Sequence, residues 1–271
     1  MTTVSAIVPT RDRAHMVGRA IASVLAQTRP PDELIVIDDG SADATAGVVR
    51  GFPGVVYERT APRGVSAARN HGIRCASGEW LAFLDSDDEW RPEKLAAQLE
   101  ALAAAPELRV CHTDEVWIRD GRRVNPRRRH AKRGGWIFRC CLPLCAMSPS
   151  SVVIHRSVFE RVGLFDEELP ACEDYDLWLR VCAVYPVLYV DRRLVVKHGG
   201  HADQLSRTVE ALDRYRIRAL EKILASDVLG PEDRRAAEAT LAEKAAIYAK
   251  GALKRARGEE AAEIRDRLGR L

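Results

Sequence analysis

Short, almost wholly apolar runs alternate along the first hundred residues with segments in which apolar positions recur every three or four residues. Residues 4–9, 33–37, 54–57 and 80–84 read as strands, and residues 14–27, 41–50, 65–75 and 92–104 as helices. The run Glu33-Leu34-Ile35-Val36-Ile37 shows no polar alternation, the pattern of a strand covered on both faces. Punctuation agrees with the periodicity. Pro30-Pro31 ends the first helix, Ser41 or Asp43 caps the second, Ser77-Gly78 closes the third, and Pro92 stands at the start of the fourth. Strand and helix in alternation predict an α/β fold with a mostly parallel sheet built from crossovers. Ligands of such sheets bind beyond the carboxyl ends of the strands. Three polar clusters fall there: Pro9-Thr10-Arg11-Asp12, Asp38-Asp39-Gly40-Ser41 and Asp85-Ser86-Asp87-Asp88. They come from separate strands and are expected to converge on one edge.

The remainder is less regular. Residues 109–118, 150–154 and 187–190 read as strands, 156–162 and 173–184 as helices, and 121–135 as a basic loop. From about residue 204 the pattern is helical, charged and rich in Ala and Leu. Leu205, Val209, Leu212, Tyr215, Leu220, Ile223 and Leu224 form an apolar stripe that predicts packing on the core or on a second copy, a homodimer through the tail. Residues 1–203 are therefore expected to form one domain, with 1–104 and 105–203 as its halves and 204–271 as a helical tail.

Composition narrows the class. The chain of 271 residues is 46% hydrophobic and 30% charged, with a formal net charge of +3, which gives no global argument for nucleic acid. No apolar run approaches the roughly 20 residues that cross a bilayer, and Met1-Thr2-Thr3-Val4 does not open a signal peptide. The expectation is a cytoplasmic protein, with peripheral association at the inner membrane face left open. Seven cysteines, an odd number, predict free thiols; Cys140-Cys141 and Cys145 lack a second pair at zinc-ligand spacing.

The acidic turn poses a chemical question, because four acids in five positions raise one another's pKa unless something cationic answers them. Asp85 and Asp87 stand at alternate positions, so both can face one side of an extended turn and offer hard oxygen donors to a divalent cation. An acidic turn that merely caps the following helix is the plain alternative.

Six motifs occur in order: VSAIVPTRDR, AIASVLAQTRPPDELIVIDDGSADAT, RGVSAARNHGI, ASGEWLAFLDSDDEWRPEKL, GLFDEELPACEDYDLWLR and HADQLSR. Over roughly residues 4–206 the chain resembles glycosyltransferase family 2, inverting sugar-nucleotide-dependent enzymes of the GT-A fold. The resemblance implies a Rossmann-like sheet flanked by helices, with residues 1–104 as the nucleotide-binding half and 105–203 as the acceptor half. It implies Mn²⁺ or Mg²⁺ held by Asp87, with Asp88 in reserve, and a histidine that completes the metal shell or touches the diphosphate. The spacing of His201 to Ser206 fits that histidine best, with His198 as the alternative. Asp85 and Ser86 would face the donor, Asp85 orienting ribose or base or reaching the metal through water. Asp38 and Asp39 would contact base and ribose, with Pro9, Thr10 and Arg11 closing the pocket and Arg69 facing the nucleotide. Asp174 is the implied base for the acceptor hydroxyl, Glu173 a contact to a sugar, and Asp176 a structural partner of Arg180. The resemblance favours a UDP-sugar donor, but relatives commonly carry Tyr or Asn after Pro-Thr, as in Pro-Thr-Tyr-Asn, where this chain has Arg11-Asp12 in the nucleotide pocket, which leaves the base open.

The implied activity is transfer of a sugar from a nucleoside diphosphate to a glycan or lipid-linked acceptor in cell-surface polysaccharide, lipopolysaccharide or glycolipid assembly. A non-catalytic sugar-nucleotide-binding or scaffold relative is the rival, and the presence of both Asp87 and Asp174 counts against it. A dinucleotide-binding site would need Gly-x-Gly-x-x-Gly after the first strand, where Pro9-Thr10-Arg11-Asp12 stands. Arg122, Arg123, Arg127, Arg128, Arg129, Lys132 and Arg133 crowd the basic loop with no aromatic among them, which argues against nucleic acid. The loop is read as a solvated cover on the acceptor side, or as a contact for an anionic acceptor or membrane headgroups. In the tail, Lys244, Lys250, Lys254 and Arg255 suit a membrane surface, but Glu243, Glu259, Glu260 and Glu263 dilute them.

Overall fold

The computed structural model describes residues 2–125, 127–201 and 209–254. Strands β1 (Val4–Thr10), β2 (Glu33–Asp38), β3 (Val56–Arg59) and β4 (Trp80–Phe83) are separated by helices α1 (Val17–Leu25), α2 (Thr45–Arg50) and α3 (Val65–Cys75). They lie side by side in the order β3-β2-β1-β4, all parallel, as the alternation predicts. A two-residue strand β5 (Glu89–Trp90) and helix α4 (Lys94–Ala104) follow. Next come β6 (Val110–Arg119), β7 (Arg122–Val124), a 3-10 turn (Arg128–His130) and α5 (Phe138–Cys141). The chain continues through β8 (Val152–His155), α6 (Ser157–Val162), α7 (Glu173–Val184) and β9 (Leu188–Gly199), then α8 (Asp213–Leu224) and α9 (Pro231–Lys254). Strand β8 joins β4 antiparallel, and the sheet continues through β6 and β9 to β5.

The apolar runs are continuous because the sheet is covered twice. Ala6, Val8, Leu34, Val36, Ala82 and Leu84 pack with Val17, Ile21 and Leu95 on one face. Their neighbours Ile7, Ile35, Ile37, Leu81 and Phe83 pack with Ala68, Leu177 and Trp178 on the other, as the period of two requires. The tail joins this second layer: Ile217, Leu220, Ile223, Leu224 and Leu241 are buried in the same cluster as Trp178. Leu205, Ser206, Arg255, Glu259, Glu260 and Glu263 lie outside the described residues.

The first, second and fourth helices are shorter than the sequence reading, at Val17–Leu25, Thr45–Arg50 and Lys94–Ala104, and three further boundaries differ. The third strand begins at Val56 because Gly54, at φ +80°, still belongs to the turn before it. The last strand of the core runs to Gly199, well past Val190, because the polar stretch Asp191-Arg192-Arg193 lies where the β6–β9 register shifts and the ladder resumes beyond it. The basic loop is partly ordered as β7, which turns back on β6.

Candidate active site

Strand register brings the polar clusters together. Thr10 pairs with Asp38 across β1 and β2, and Ile7 with Phe83 across β1 and β4, so the three chain segments leave the sheet at one edge. The short β5 then pairs Glu89 with Val196, which sets the acidic turn against the end of β9. Helix α3 lies unusually close to β1. A Cβ at Gly72 would stand 2.4 Å from Cγ2 of Ile7, so only glycine fits there. Arg69, one turn earlier on the same helix face, is thereby held against the sheet edge. Cys172, in the left-handed region at φ +62°, turns the chain into α7 and delivers Glu173 and Asp174 at that helix's first positions.

These segments enclose a cavity of about 970 Å³. Pro9, Thr10, Arg11, Asp39, Asp85, Ser86, Asp87, Arg69, Glu173 and Asp174 all line it. Asp38 does not: it is fully buried, with its oxygens accepting from the Ser41 N–H at 2.7 Å and the Tyr57 hydroxyl at 2.6 Å. Its expected contact to base or ribose is replaced by a structural one, because the carboxylate is spent inside the turn. Asp39 accepts from the backbone N–H groups of Arg63 at 2.7 Å and Gly64 at 2.9 Å, tying the second strand to the start of α3, and Arg11 approaches it at 3.6 Å.

Arg69 has an architectural occupation that the sequence reading did not foresee. Its two terminal nitrogens donate to Asp85 at 2.7 Å and to Glu173 at 2.6 Å, joining the acidic turn to α7. Burial pulls the Asp85 pKa upward, but the guanidinium of Arg69 and the ammonium of Lys197 outweigh it and hold the carboxyl below the usual range. Glu173 moves the other way. Its burial, assisted by Asp174, exceeds the effect of Arg69 and raises its pKa. Asp174 meets neutral donors: the Cys145 thiol at 3.1 Å and the Tyr175 N–H at 2.7 Å. Asp176 pairs with Arg180 at 2.7 Å and with Lys222 at 2.7 Å, as a structural residue would.

In the acidic turn, oxygens of Asp85, Asp87 and Asp88 lie within 4.8 Å of one another. Asp88 is 2% exposed, accepts from Ser150 Oγ at 2.7 Å and from the His198 N–H at 3.2 Å, and faces Lys197 at 3.7 Å. Burial, with Asp87 and Asp85 beside it, drives its pKa well up in spite of Lys197. The His201 ring meets Asp87 at 2.9 Å, while the His198 ring is engaged by Glu89 at 2.6 Å. Three clustered carboxylates with an imidazole alongside form a hard donor set of the kind that Mn²⁺ or Mg²⁺ takes, and a cation there would relieve their repulsion. The residues present thus fit a divalent ion.

Among the cavity or turn residues that escaped the sequence reading are Lys197, Arg13, Ser150 and Ser66. Lys197 sits at the end of the apolar run Leu194-Val195-Val196, a position that a longer strand assignment would have flagged. Burial opposes its charge, but Asp88, Glu115, Asp85 and Asp87 outweigh burial and hold it protonated. Arg13 approaches Asp87 at 3.4 Å, and Ser150 accepts from the Asp85 N–H at 3.1 Å while donating to Asp88. Ser66, at the start of α3, carries a buried hydroxyl without a hydrogen-bond partner, as does Thr10, and both residues line the cavity. A local pattern marks neither Arg13 nor Ser150.

The profile described as "Glycosyl transferase family 2" matches residues 5–163, and that of "Glycosyltransferase like family 2" matches residues 136–206. An uncharacterized glycosyltransferase of Rickettsia typhi is 30% identical over 219 residues, covering 78% of this chain and 69% of that protein. The succinoglycan biosynthesis protein ExoO of Rhizobium meliloti is 35% identical over 209 residues, covering 68% of this chain and 58% of that protein. Among solved structures, S. aureus TarS 1-349 in complex with UDP-GlcNAc superposes with a TM-score of 0.70 at 19% identity, covering 90% of this chain and 71% of that one. The mannosyltransferase PcManGT from Pyrobaculum calidifontis, in complex with GDP-Man and Mn²⁺, gives a TM-score of 0.62 at 20% identity, covering 93% and 75%. These two likenesses are of fold, the GT-A arrangement of a mixed sheet between helical layers. With its motifs in order and a profile match over most of the core, the chain belongs to glycosyltransferase family 2.

Proposed function

We propose that the protein is an inverting glycosyltransferase that moves a sugar from a nucleoside-diphosphate donor, with UDP favoured, to an acceptor hydroxyl in bacterial polysaccharide assembly. The observation that carries this reading is the cavity itself. One space of about 970 Å³ is bordered by the acid cluster, by Asp174, and by the buried and unpartnered hydroxyls of Thr10 and Ser66. Buried polar atoms without partners are uncommon, and a polar ligand would satisfy these two. The ligands named for the two structural neighbours, UDP-GlcNAc in one and GDP-Man with Mn²⁺ in the other, support a nucleotide-sugar in this place. ExoO, a succinoglycan biosynthesis protein, supports the setting.

The roles follow from how each side chain is occupied. Asp87, with His201 beside it and Asp85 and Asp88 behind, would hold the divalent ion, which supplies charge neutralisation of the leaving diphosphate. Asp39, with Pro9, Thr10 and Arg11 around it, borders the side of the cavity assigned to base and ribose. Arg69 holds Asp85 and Glu173 at fixed separation and so keeps donor side and acceptor side in register. Asp174 takes the proton of the acceptor hydroxyl onto its carboxylate as that oxygen attacks from the face opposite the diphosphate, giving inversion. The Cys145 thiol and the Tyr175 N–H hold that carboxylate without neutralising it.

Calorimetric titration with UDP, GDP, dTDP and CDP, each with Mn²⁺ and with EDTA, tests the reading on the wild type and on Asp87→Ala. Metal-dependent binding of one nucleotide, abolished by the substitution, is expected. Absence of binding under all conditions would overturn it. Binding without turnover on any sugar derivative of that nucleotide would favour the scaffold relative.

A further inference from the structure

Residues 121–159 hold nine arginines and lysines and no aspartate or glutamate, in a chain whose formal net charge is only +3. The remainder of the molecule is therefore net acidic, and the positive charge is concentrated. Arg139 pairs with Glu232 and Asp233, and Arg156 donates to the carbonyls of Gly78 and Ala76; the fold gathers the other seven. Strand β7 pairs with β6 so that Arg122 stands directly opposite Arg119, a like-charge pairing that costs stability. The 3-10 turn folds over the same hairpin, with the His130 ring 5.1 Å from that of Trp117 and Arg119 lying over Trp117 on its own strand. Burial depresses the His130 pKa, and Arg129, Lys132, Arg127 and Arg119 depress it further, which reports four cations converging on one ring. Arg122, Arg123, Arg127, Arg128, Arg129 and Arg133 are exposed, and none of them meets a carboxylate among the described residues. Asp120, in the hairpin turn, is the sole acid of the segment 116–159. Beside this face stands Trp136, 70% exposed, the most exposed large hydrophobic side chain among the described residues.

Lys132 is the exception within the run, and it is what fixes the face to the core. It is buried against Glu115 at 3.4 Å and donates to the Ala146 carbonyl at 3.0 Å. Ala146 adjoins Cys145, which lines the cavity and holds Asp174. The cationic face is thus bolted within a residue or two of the cavity wall.

We infer that this face, Arg119 to Arg133 with Trp136, docks the protein on the surface of an anionic phospholipid bilayer. Unpaired arginines supply attraction to lipid phosphates, and an exposed indole suits the boundary between headgroups and acyl chains. No helix among the described residues is long and apolar enough to cross a membrane, so attachment through this face would be peripheral. A nucleic acid would draw on aromatics interleaved among the cations. Here Trp117 is covered by His130, and Trp136 stands apart from the run. Docking would bring the cavity wall beside Cys145 close to the bilayer, where a lipid-linked acceptor can be reached, a consequence that rests on the sugar-transfer reading. The docking itself does not.

Co-sedimentation of the full chain with vesicles of phosphatidylcholine alone, and of phosphatidylcholine with phosphatidylglycerol, tests it without donor or metal. About tenfold more protein is expected with the anionic vesicles at low salt, with the difference lost at high salt. The variant Arg127→Glu/Arg128→Glu/Arg129→Glu is expected to lose the anionic preference, with its thermal melt unchanged because these side chains are exposed; the triple Gln variant serves if the Glu variant unfolds. Trp136→Ala should weaken binding several-fold and keep its salt dependence. Equal binding to both vesicles, binding indifferent to the triple variant, or preference for an RNA oligonucleotide at equal phosphate concentration would each overturn the proposal. Since no step of sugar transfer is measured, such a failure would leave the reading of the cavity standing.

Discussion

Glu115 and Asp88 both act on the charge of Lys197 and are almost equally buried, at 3% and 2% exposed, yet their surroundings drive them in opposite directions. Burial raises both. Around Glu115, Lys132 and Lys197 together with donors from Ser148 and from Trp117 at 2.9 Å overcome it, and the pKa falls to about 2. Around Asp88, the single cation Lys197 is opposed by Asp87 and Asp85, and the pKa is driven well up. The difference teaches that burial does not decide the state of a carboxylate. The balance of neighbouring charges does. A carboxylate answered by fixed partners is part of the scaffold, whereas one left with like charges or neutral donors has capacity for a ligand. By that criterion Asp85, clamped by Arg69 and held low by Arg69 and Lys197, is the most nearly spent of the cavity carboxylates. Asp174, held by a thiol and a backbone N–H, is not.

The largest expected effect is therefore at Asp174. Asp174→Asn keeps the shape and the Tyr175 contact but removes the proton acceptor. Turnover is expected to fall by ~10²–10⁴-fold with nucleotide affinity retained. Turnover within a few-fold of wild type would show that the under-compensated carboxylate is not the base. Next comes the scaffold side. Glu115→Gln leaves the buried Lys132 and the half-buried Lys197 with less counter-charge and should destabilise by about 3–5 kcal/mol. Asp88→Asn removes a surplus negative charge from the turn and should leave unfolding stability unchanged or raised. Chemical denaturation of the two variants side by side reads the contrast directly, and equal losses would break it.

The same contrast has a pH signature. The Glu115 carboxyl titrates near 4.5 when unfolded and near 2 when folded. A depressed folded value means that the stabilisation is fully present above pH 4.5 and is lost as pH falls through 4.5 towards 2. A shift of this size corresponds to about 3 kcal/mol. Wild-type stability followed by denaturation between pH 6 and 3 should fall more steeply than that of Glu115→Gln. Parallel curves would mean that Glu115 is not held by its cations.

Much of this architecture was legible in the chain because it depends on local pattern. Val4–Thr10 and Glu33–Asp38 announce a doubly covered sheet by their largely apolar character, and the acids that follow such strands must lie at the sheet edge. The sequence could not show how the acids are shared out. Arg69 meets Glu173 across 104 residues of chain, and His198 reaches Glu89 across 109. Such partners are set by the packing of α3 on β1 and by the two-residue β5, and neither has a periodic signal. Asp38 and Asp39 illustrate the limit. They are adjacent and identical in type, but one is consumed by Tyr57 and Ser41 while the other lines the cavity. Lys197 was missed for a related reason: its strand continues through the charged bulge at Asp191-Arg192-Arg193, which read as an end.

Lys197 also provides the smallest test. A resident ammonium 3.7 Å from Asp88 discharges part of the acid cluster before any metal arrives, and it opposes the approach of a second cation. Lys197→Met keeps the length and the apolar stem while removing that charge. Glu115 retains Lys132, Ser148 and Trp117, so the scaffold side should hold. On the acidic side the three carboxylates would lose a competitor, and Mn²⁺ affinity without nucleotide should rise about tenfold, or ~1.4 kcal/mol. Titration of Mn²⁺ followed by its electron paramagnetic resonance signal reads this without any turnover. Unchanged affinity would mean that Lys197 neutralises Glu115 alone and that the acid turn is balanced by Arg69 and Arg13. Weaker affinity would mean that the ammonium orders the turn for the metal, and the two sides of Lys197 would then be one network.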